Sequence, residues 1–258
     1  MTSYSAQSRS ALIKVPEVTA YFWIIKVLST TVGETFADYL NSNLGLGLNG
    51  TSLIMAIALI LGLFFQFKTK KYTPIAYWLV VVLTSITGTL LTDNLTDNLG
   101  VSLILSSVVF AMLLAISFFI WFRTEKTLSI HSIDSRSREA FYWATILLTF
   151  ALGTATGDLV AEKFAIGYGW SFWLFAGLII VVGVSVRFRF IGSVLGFWAT
   201  YVLTRPLGAS IGDFLSQTKK DGGIGLGTTT TSYLFLAIIL ALVAFLTATK
   251  VDQVKTRS

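Results

Sequence analysis

Three features of this sequence point to an all-α, polytopic membrane protein with about eight transmembrane helices in four tandem two-helix repeats. The 258 residues have a mean hydropathy of +0.76 and only 12% charged side chains, too few to cover a water-facing surface. Stretches 53–67, 101–122, 171–186 and 233–249 contain no Asp, Glu, Lys or Arg, and most approach or reach the length that crosses a hydrocarbon core about 30 Å thick. One phrase recurs four times along the chain. The charge-free runs are apolar throughout and lack the alternation of a barrel strand, so they are expected as helices.

Residues 1–18, "MTSYSAQSRSALIKVPEV", hold no apolar core long enough for a secretory signal and are expected as a short cytosolic tail ending near Pro16. Repeat 1 is expected over 19–70, repeat 2 over 71–123, a basic cytosolic connector over 124–138, repeat 3 over 139–189, repeat 4 over 190–249 and a cytosolic tail over 250–258. Fourteen basic residues stand in the tails and in alternate connectors: Arg9 and Lys14; Lys68, Lys70 and Lys71; Arg123, Lys126, Arg136 and Arg138; Arg187 and Arg189; Lys250, Lys255 and Arg257. The other connectors hold only Lys163, Lys219 and Lys220. By the positive-inside rule both termini are then cytosolic and the number of spans is even. The net charge of +6 therefore reads as topology and not as a nucleic-acid footprint.

The chain has no cysteine, which excludes disulfides, thiolate metal sites and thiol nucleophiles. Its single histidine, His131, lies in a polar connector, which disfavours a histidine-based catalytic or metal site. The Gly-rich "GGIGLG" follows no strand, and no HExxH, GxSxG or Walker sequence is present. No enzymatic activity and no cofactor are expected.

The four copies are "FWIIKVLSTTVGETFAD" (22–38), "YWLVVVLTSITGTLLTD" (77–93), "YWATILLTFALGTATGD" (142–158) and "FWATYVLTRPLGASIGD" (197–213). They share an aromatic-Trp pair, Leu-[Ser/Thr] five residues on, Gly ten on and Asp fifteen on, counted from Trp. Trp23, Trp78, Trp143 and Trp198 stand 55, 65 and 55 residues apart, so the two halves superpose at an offset of 120. The ten additional residues fall around "SIHSIDSRSRE", which is expected as a hinge or linker between halves. An even number of spans separates successive copies, so all four phrase helices are expected to run in the same direction.

This fourfold frame resembles bacterial membrane proteins built from a tandem repeat of unknown function, a two-span unit usually present four times. The resemblance covers the chain from about Tyr21 to Thr249. It implies the fold and a cytoplasmic (inner) membrane location, and brings no activity, substrate or catalytic residues with it.

Each position of the phrase has a physical reading. Ser29, Gly33 and Ala37; Thr84, Gly88 and Thr92; Thr149, Gly153 and Gly157; and Thr204, Gly208 and Gly212 fall at i, i+4 and i+8. Small residues on one face let membrane helices approach closely, so the phrase helices are expected at the centre and the more apolar helices around them. The pairs carrying Trp23, Trp78, Trp143 and Trp198 are expected as interface anchors, with a cytosolic aromatic vestibule as the alternative. Asp38, Asp93, Asp158 and Asp213 lie fifteen residues after Trp, about 22 Å along the helix, near helix C-termini where a carboxylate opposes the macrodipole.

Two readings of these aspartates stay open. Each carboxylate hydrogen-bonds a neighbouring helix or loop, or the four together hold a cation through oxygen ligands suited to Mn²⁺, Mg²⁺ or Ca²⁺. The departures from symmetry are Lys26 and Glu34 in the first copy and Arg205 in the fourth. Charge buried in lipid must be paired or functional, and Arg205 can reach Glu34 if those two helices are neighbours. Arg205-Pro206 is expected to break its helix. Asp97 and Glu162, four residues after Asp93 and Asp158, are expected as exposed connector acids. The expected function is a small transporter or permease in which Glu34 and the four Asp are ion or proton sites and Lys26 and Arg205 internal counter-charges. A non-transporting scaffold or sensor is the alternative. The expected partners are the bilayer and a small cation or proton.

Overall fold

A computed structural model describes residues 13–253; the tail segments 1–12 and 254–258, with Arg9, Lys255 and Arg257, lie outside the described residues. Eight long helices make up the described chain: α1 (Ala20–Asp38), α2 (Gly47–Lys68), α3 (Pro74–Asp93), α4 (Leu103–Glu125), α5 (Arg136–Asp158), α6 (Tyr168–Arg187), α7 (Ser193–Ser216) and α8 (Thr228–Thr249). No strand occurs among the described residues. Local chemistry sets the helix starts: the Thr19 hydroxyl accepts the Phe22 N–H, Pro74 opens α3, and the Ser102 and Ser135 hydroxyls cap α4 and α5. Helix α5 begins inside the stretch expected as a connector.

Six of the eight helices are long and apolar enough to cross a membrane. The other two, α1 and α7, carry Lys26, Glu34 and Arg205. Their polar character is used internally, because they pack against each other.

The phrase helices α1, α3, α5 and α7 form a closed ring in which each touches the next and α7 returns to α1. The glycines make this ring possible. A Cβ on Gly33 would stand 2.8 Å from Ser85 Cβ, one on Gly88 2.5 Å from Phe150 Cβ, one on Gly208 2.6 Å from Thr30 Cβ, and one on Gly153 would meet Arg205 Cβ. Ser85, Phe150, Arg205 and Thr30 occupy one and the same phrase position. The same glycine-to-neighbour contact is thus made four times around the ring, including across its closure. Thr92 adds a hydrogen bond from its hydroxyl to the Ala151 carbonyl at 2.9 Å.

The apolar helices pack outside, each on the phrase helix of the following repeat: α2 on α3, α4 on α5, α6 on α7, with α8 closing on α1. Each buries a narrow seam; in α2 it is Thr51, Met55, Leu59, Gly62 and Gln66, a spacing of three or four that suits one helix-facing stripe. The remainder, such as Leu53, Ile60, Phe119 and Trp173, is exposed.

At the end carrying the aromatic pairs, residues 13–19 cross the bundle as a strap. Lys14 N–H donates to the Ile133 carbonyl at 3.1 Å, Tyr72 N–H to Ile13 at 3.0 Å, and Glu17 N–H to Asp252 at 2.9 Å. Lys14 Nζ bonds the buried Glu139 carboxylate at 2.7 Å, and Gln66 donates to the other Glu139 oxygen at 3.1 Å. The stretch expected as a hinge is pinned, with Ile130 and Ile133 buried. Two further expectations are corrected. Trp78, Trp143 and Trp198 are buried between helices, and Trp198 Nε1 donates to the Leu128 carbonyl at 2.9 Å; only Trp23 keeps partial exposure, so these indoles form no surface belt. Helix α7 runs through Pro206 without a break, the ring lodging against Gly153 and Gly157 of α5.

Candidate functional site

The phrase residues at four-residue spacing, in the first copy Phe22, Lys26, Thr30, Glu34 and Asp38, face the axis of the ring. Contacts between diagonal helices establish this: Lys26 of α1 reaches Phe150 of α5, and Arg205 of α7 reaches Thr89 of α3. Five layers stack along the axis.

The first layer is Phe22, Tyr77, Tyr142 and Phe197. The Tyr77 and Tyr142 hydroxyls bond each other at 2.5 Å and the rings of Phe22 and Phe197 lie 5.9 Å apart. Phe22, Tyr77 and Tyr142 are fully buried, so with the strap beneath them they seal this end. The second layer is Lys26, Val81, Ile146 and Tyr201. Lys26 is fully buried and its ammonium has no hydrogen-bond acceptor among the described residues; it sits 4.0 Å from the centre of the Phe150 ring and 4.3 Å from that of Tyr201. Two aromatic faces stabilise a desolvated cation by about 2 kcal/mol each at best, far less than water would.

The third and fourth layers are joined by Arg205. Its guanidinium, fully buried, donates from Nη2 to Glu34 Oε2 at 2.7 Å, to Thr154 Oγ1 at 2.8 Å and to Thr89 Oγ1, and from Nη1 to the Thr30 carbonyl at 3.2 Å. Glu34, Thr89 and Thr154 are the same phrase position in copies one, two and three. One asymmetric arginine therefore ties the other three repeats together across the axis.

Above it the helices open into a chamber of about 190 Å³ lined by Glu34, Asp38, Asn41, Asp93, Thr96, Asp97, Asp158, Glu162, Asp213 and Gln217. Glu34 and Asp213 are buried at its floor, Asp38, Asp93 and Asp158 are half-buried in its wall, and Asp97 and Glu162 are exposed at its rim. All four phrase aspartates thus come together. Among the described residues, none of their carboxylates accepts a hydrogen bond or forms an ion pair. That volume has room for about six waters.

Asp97 and Glu162 are exposed as expected, but they line the chamber and are not incidental connector acids. Three of the four phrase helices continue past their aspartate as single π turns, Tyr39–Asn43, Asn94–Asn98 and Leu159–Lys163. Widened turns of this kind are common at functional sites, and here they hold the residue three or four positions on beside the mouth. The four-residue spacing to Asp93 and Asp158 was the available sign; that the helix continued was not visible in it.

A ring of phrase helices carrying charge at its axis, wrapped in helices of membrane length and apolarity, defines an integral, multi-pass membrane protein built from a fourfold repeat. The chain belongs to the family described as Repeat of Unknown Function (DUF347), which it matches over residues 21–72, 76–127, 141–189 and 196–252. No curated protein and no solved structure matches it.

Proposed function

We propose that this protein is a small transporter or permease for an ion, a divalent cation or a proton-linked one, or for a small polar solute. It is not an enzyme in this reading and uses no cofactor. The observation that carries the reading is the chamber itself, where four repeated aspartates meet without a hydrogen bond among the described residues. Residues kept only for packing would be spent on packing, as the threonines and glycines of the same helices are. Unpaired carboxylates beside one another favour a cation or protons as their partner. Glu34 and the four Asp are the ion or proton sites, and Lys26 and Arg205 the internal counter-charges. All eight helices are taken as spans, since the charges of α1 and α7 face the axis and not lipid.

The basic residues gather at the sealed end, so by the positive-inside rule that end is cytosolic and the chamber faces outward, in a bacterial inner membrane. Rocking of two halves is disfavoured as the transport motion, because the ring repeats one glycine contact at all four junctions. Passage then requires parting the aromatic layer and moving Lys26 aside.

The sealed base favours a second reading, a membrane scaffold or sensor that binds an ion without moving it. Flux in proteoliposomes decides between them. Uptake of Mn²⁺, Mg²⁺, Ca²⁺, Na⁺ or protons that is lost in a folded Asp38→Asn/Asp158→Asn variant supports transport. No flux of any of these from protein that still binds one of them supports the sensor.

A further inference from the structure

The chamber is not symmetric where it is deepest. Glu34, Asp158 and Asp213, from α1, α5 and α7, can each offer a carboxylate oxygen to one point, these oxygens lying within 4.8 Å of one another. Asp38 and Asp93, although equivalent by repeat, do not join them. The asymmetry has a cause on the neighbouring layer, since Glu34 exists in one copy only and is drawn to the axis by Arg205.

Asp213 is only 7% exposed, lines the chamber and accepts no hydrogen bond among the described residues. A carboxylate so enclosed, with no protein group bonded to it among the described residues, has only water or a cation in the chamber as its partner. Glu34 has one oxygen engaged by Arg205 and the other unbonded among the described residues. Counted as ionised, the three carboxylates of the trio outnumber the Arg205 guanidinium by two charges, the excess that one divalent cation matches. Arg205 remains held by Thr30, Thr89 and Thr154 without Glu34, so it forms a fixed positive floor beneath the ion.

From this we infer a single hard divalent-cation seat formed by Glu34, Asp158 and Asp213, completed by water and by the amide and hydroxyl oxygens of the wall. All the donors are oxygens, which suits Mn²⁺, Mg²⁺ or Ca²⁺ and not a soft metal. The inference rests on the reading that the chamber takes a cation, and it goes further in naming which carboxylates bind and how many ions.

Mn²⁺ binding to the purified full-length protein in detergent, followed by loss of the free-ion EPR signal, tests the seat. One saturable Mn²⁺ per chain is expected, displaced by Mg²⁺ or Ca²⁺. Asp213→Asn should weaken binding about tenfold or more, the loss expected at a metal site. Asp93→Asn, a chamber carboxylate outside the trio, should weaken it roughly threefold or less, the scale of a screened charge. If Asp213→Asn does not fold, Asp158→Asn in the half-buried wall carries the same expectation. Equal losses for Asp93→Asn and Asp213→Asn, or no saturable binding to folded wild-type protein, would overturn the seat. Flux measured alongside separates the two ideas: stoichiometric binding with no flux keeps the seat and ends the transport reading, whereas flux surviving a folded Asp213→Asn keeps transport and ends the seat.

Discussion

The two ends of the inner ring are built from the same four helices in the same orientation, yet one is open and acidic and the other closed and aromatic. At the closed end the strap and its neighbours are tied by side-chain pairs: Lys14 has Glu139, Glu139 has Gln66, and Tyr72 has Asp252. At the open end the repeated carboxylates have none among the described residues. Between them stand Lys26 and Arg205, both fully buried, of which only Arg205 has hydrogen-bond acceptors among the described residues. Repetition alone supplies a symmetric ring; polarity along its axis comes from the side chains that differ between copies. The closed end is where the chain is committed to stability, and the open end is where charge is left available.

The largest effect should come from separating the one buried ion pair that spans the ring. Arg205→Ala leaves Glu34 charged and unpaired and should cost ~3–5 kcal/mol, read as a large fall in the detergent melting temperature. Glu34→Gln combined with Arg205→Met should recover most of that loss. If Arg205→Ala alone melts like wild type, the arginine does not hold the repeats together and the contrast between the ends loses its centre.

Next come the glycines. Gly208→Ala would press a methyl onto Thr30 and to 3.0 Å from the Thr31 backbone nitrogen, overpacking that should cost ~1–3 kcal/mol. Gly177→Ala in α6 meets nothing within 4 Å and should be neutral or stabilising by ~0.5–1 kcal/mol. The pair of melting curves separates inner from outer helices directly, and equal losses would count against close packing in the ring.

Lys26 offers a change in the opposite direction. Its ammonium has no acceptor among the described residues, so Lys26→Met, of similar shape and uncharged, should stabilise by ~1 kcal/mol or more while abolishing any flux that depends on that charge. A loss of stability would mean that the two aromatic faces hold the cation better than their geometry suggests.

The smallest effect belongs to the closed end. Burial pushes the Asp252 carboxyl up from the ordinary aspartate range, against the opposing hydrogen bond from Tyr72. A raised acid binds its proton more tightly in the folded state, so its stabilising contribution is complete below the ordinary aspartate pKa and fades as pH rises through the raised value. Proteolysis at the C-terminal end of α8 should therefore quicken over that rise by the equivalent of ~1 kcal/mol or less. Asp252→Asn, which cannot titrate, should flatten the profile.

Much of the chamber could be read from residue types. The fourfold aspartate, the singular Lys26, Glu34 and Arg205, and the condition that Arg205 reaches Glu34 if α1 and α7 adjoin were all present in the spacing. The Trp residues misled because an aromatic beside a basic connector looks the same whether it faces headgroups or the next helix. Pro206 misled because a proline's effect on a helix depends on whether a neighbour receives its ring, and Gly153 and Gly157 lie 53 and 49 residues away in sequence.

What the sequence determined unaided is what depends on each segment's own composition: eight helices, their membrane character in six cases, the repeat frame and the small-residue stripe. Transfer of apolar side chains and the closing of backbone hydrogen bonds are local matters, settled residue by residue. Only the tertiary structure decided that each outer helix packs chiefly on the next repeat, that α7 closes the ring on α1 with α8 outside it, that π turns bring Asp97 and Glu162 to the mouth, and that three carboxylates draw closer than the other two. Those outcomes depend on which surfaces meet at van der Waals distance, and no single segment contains that choice.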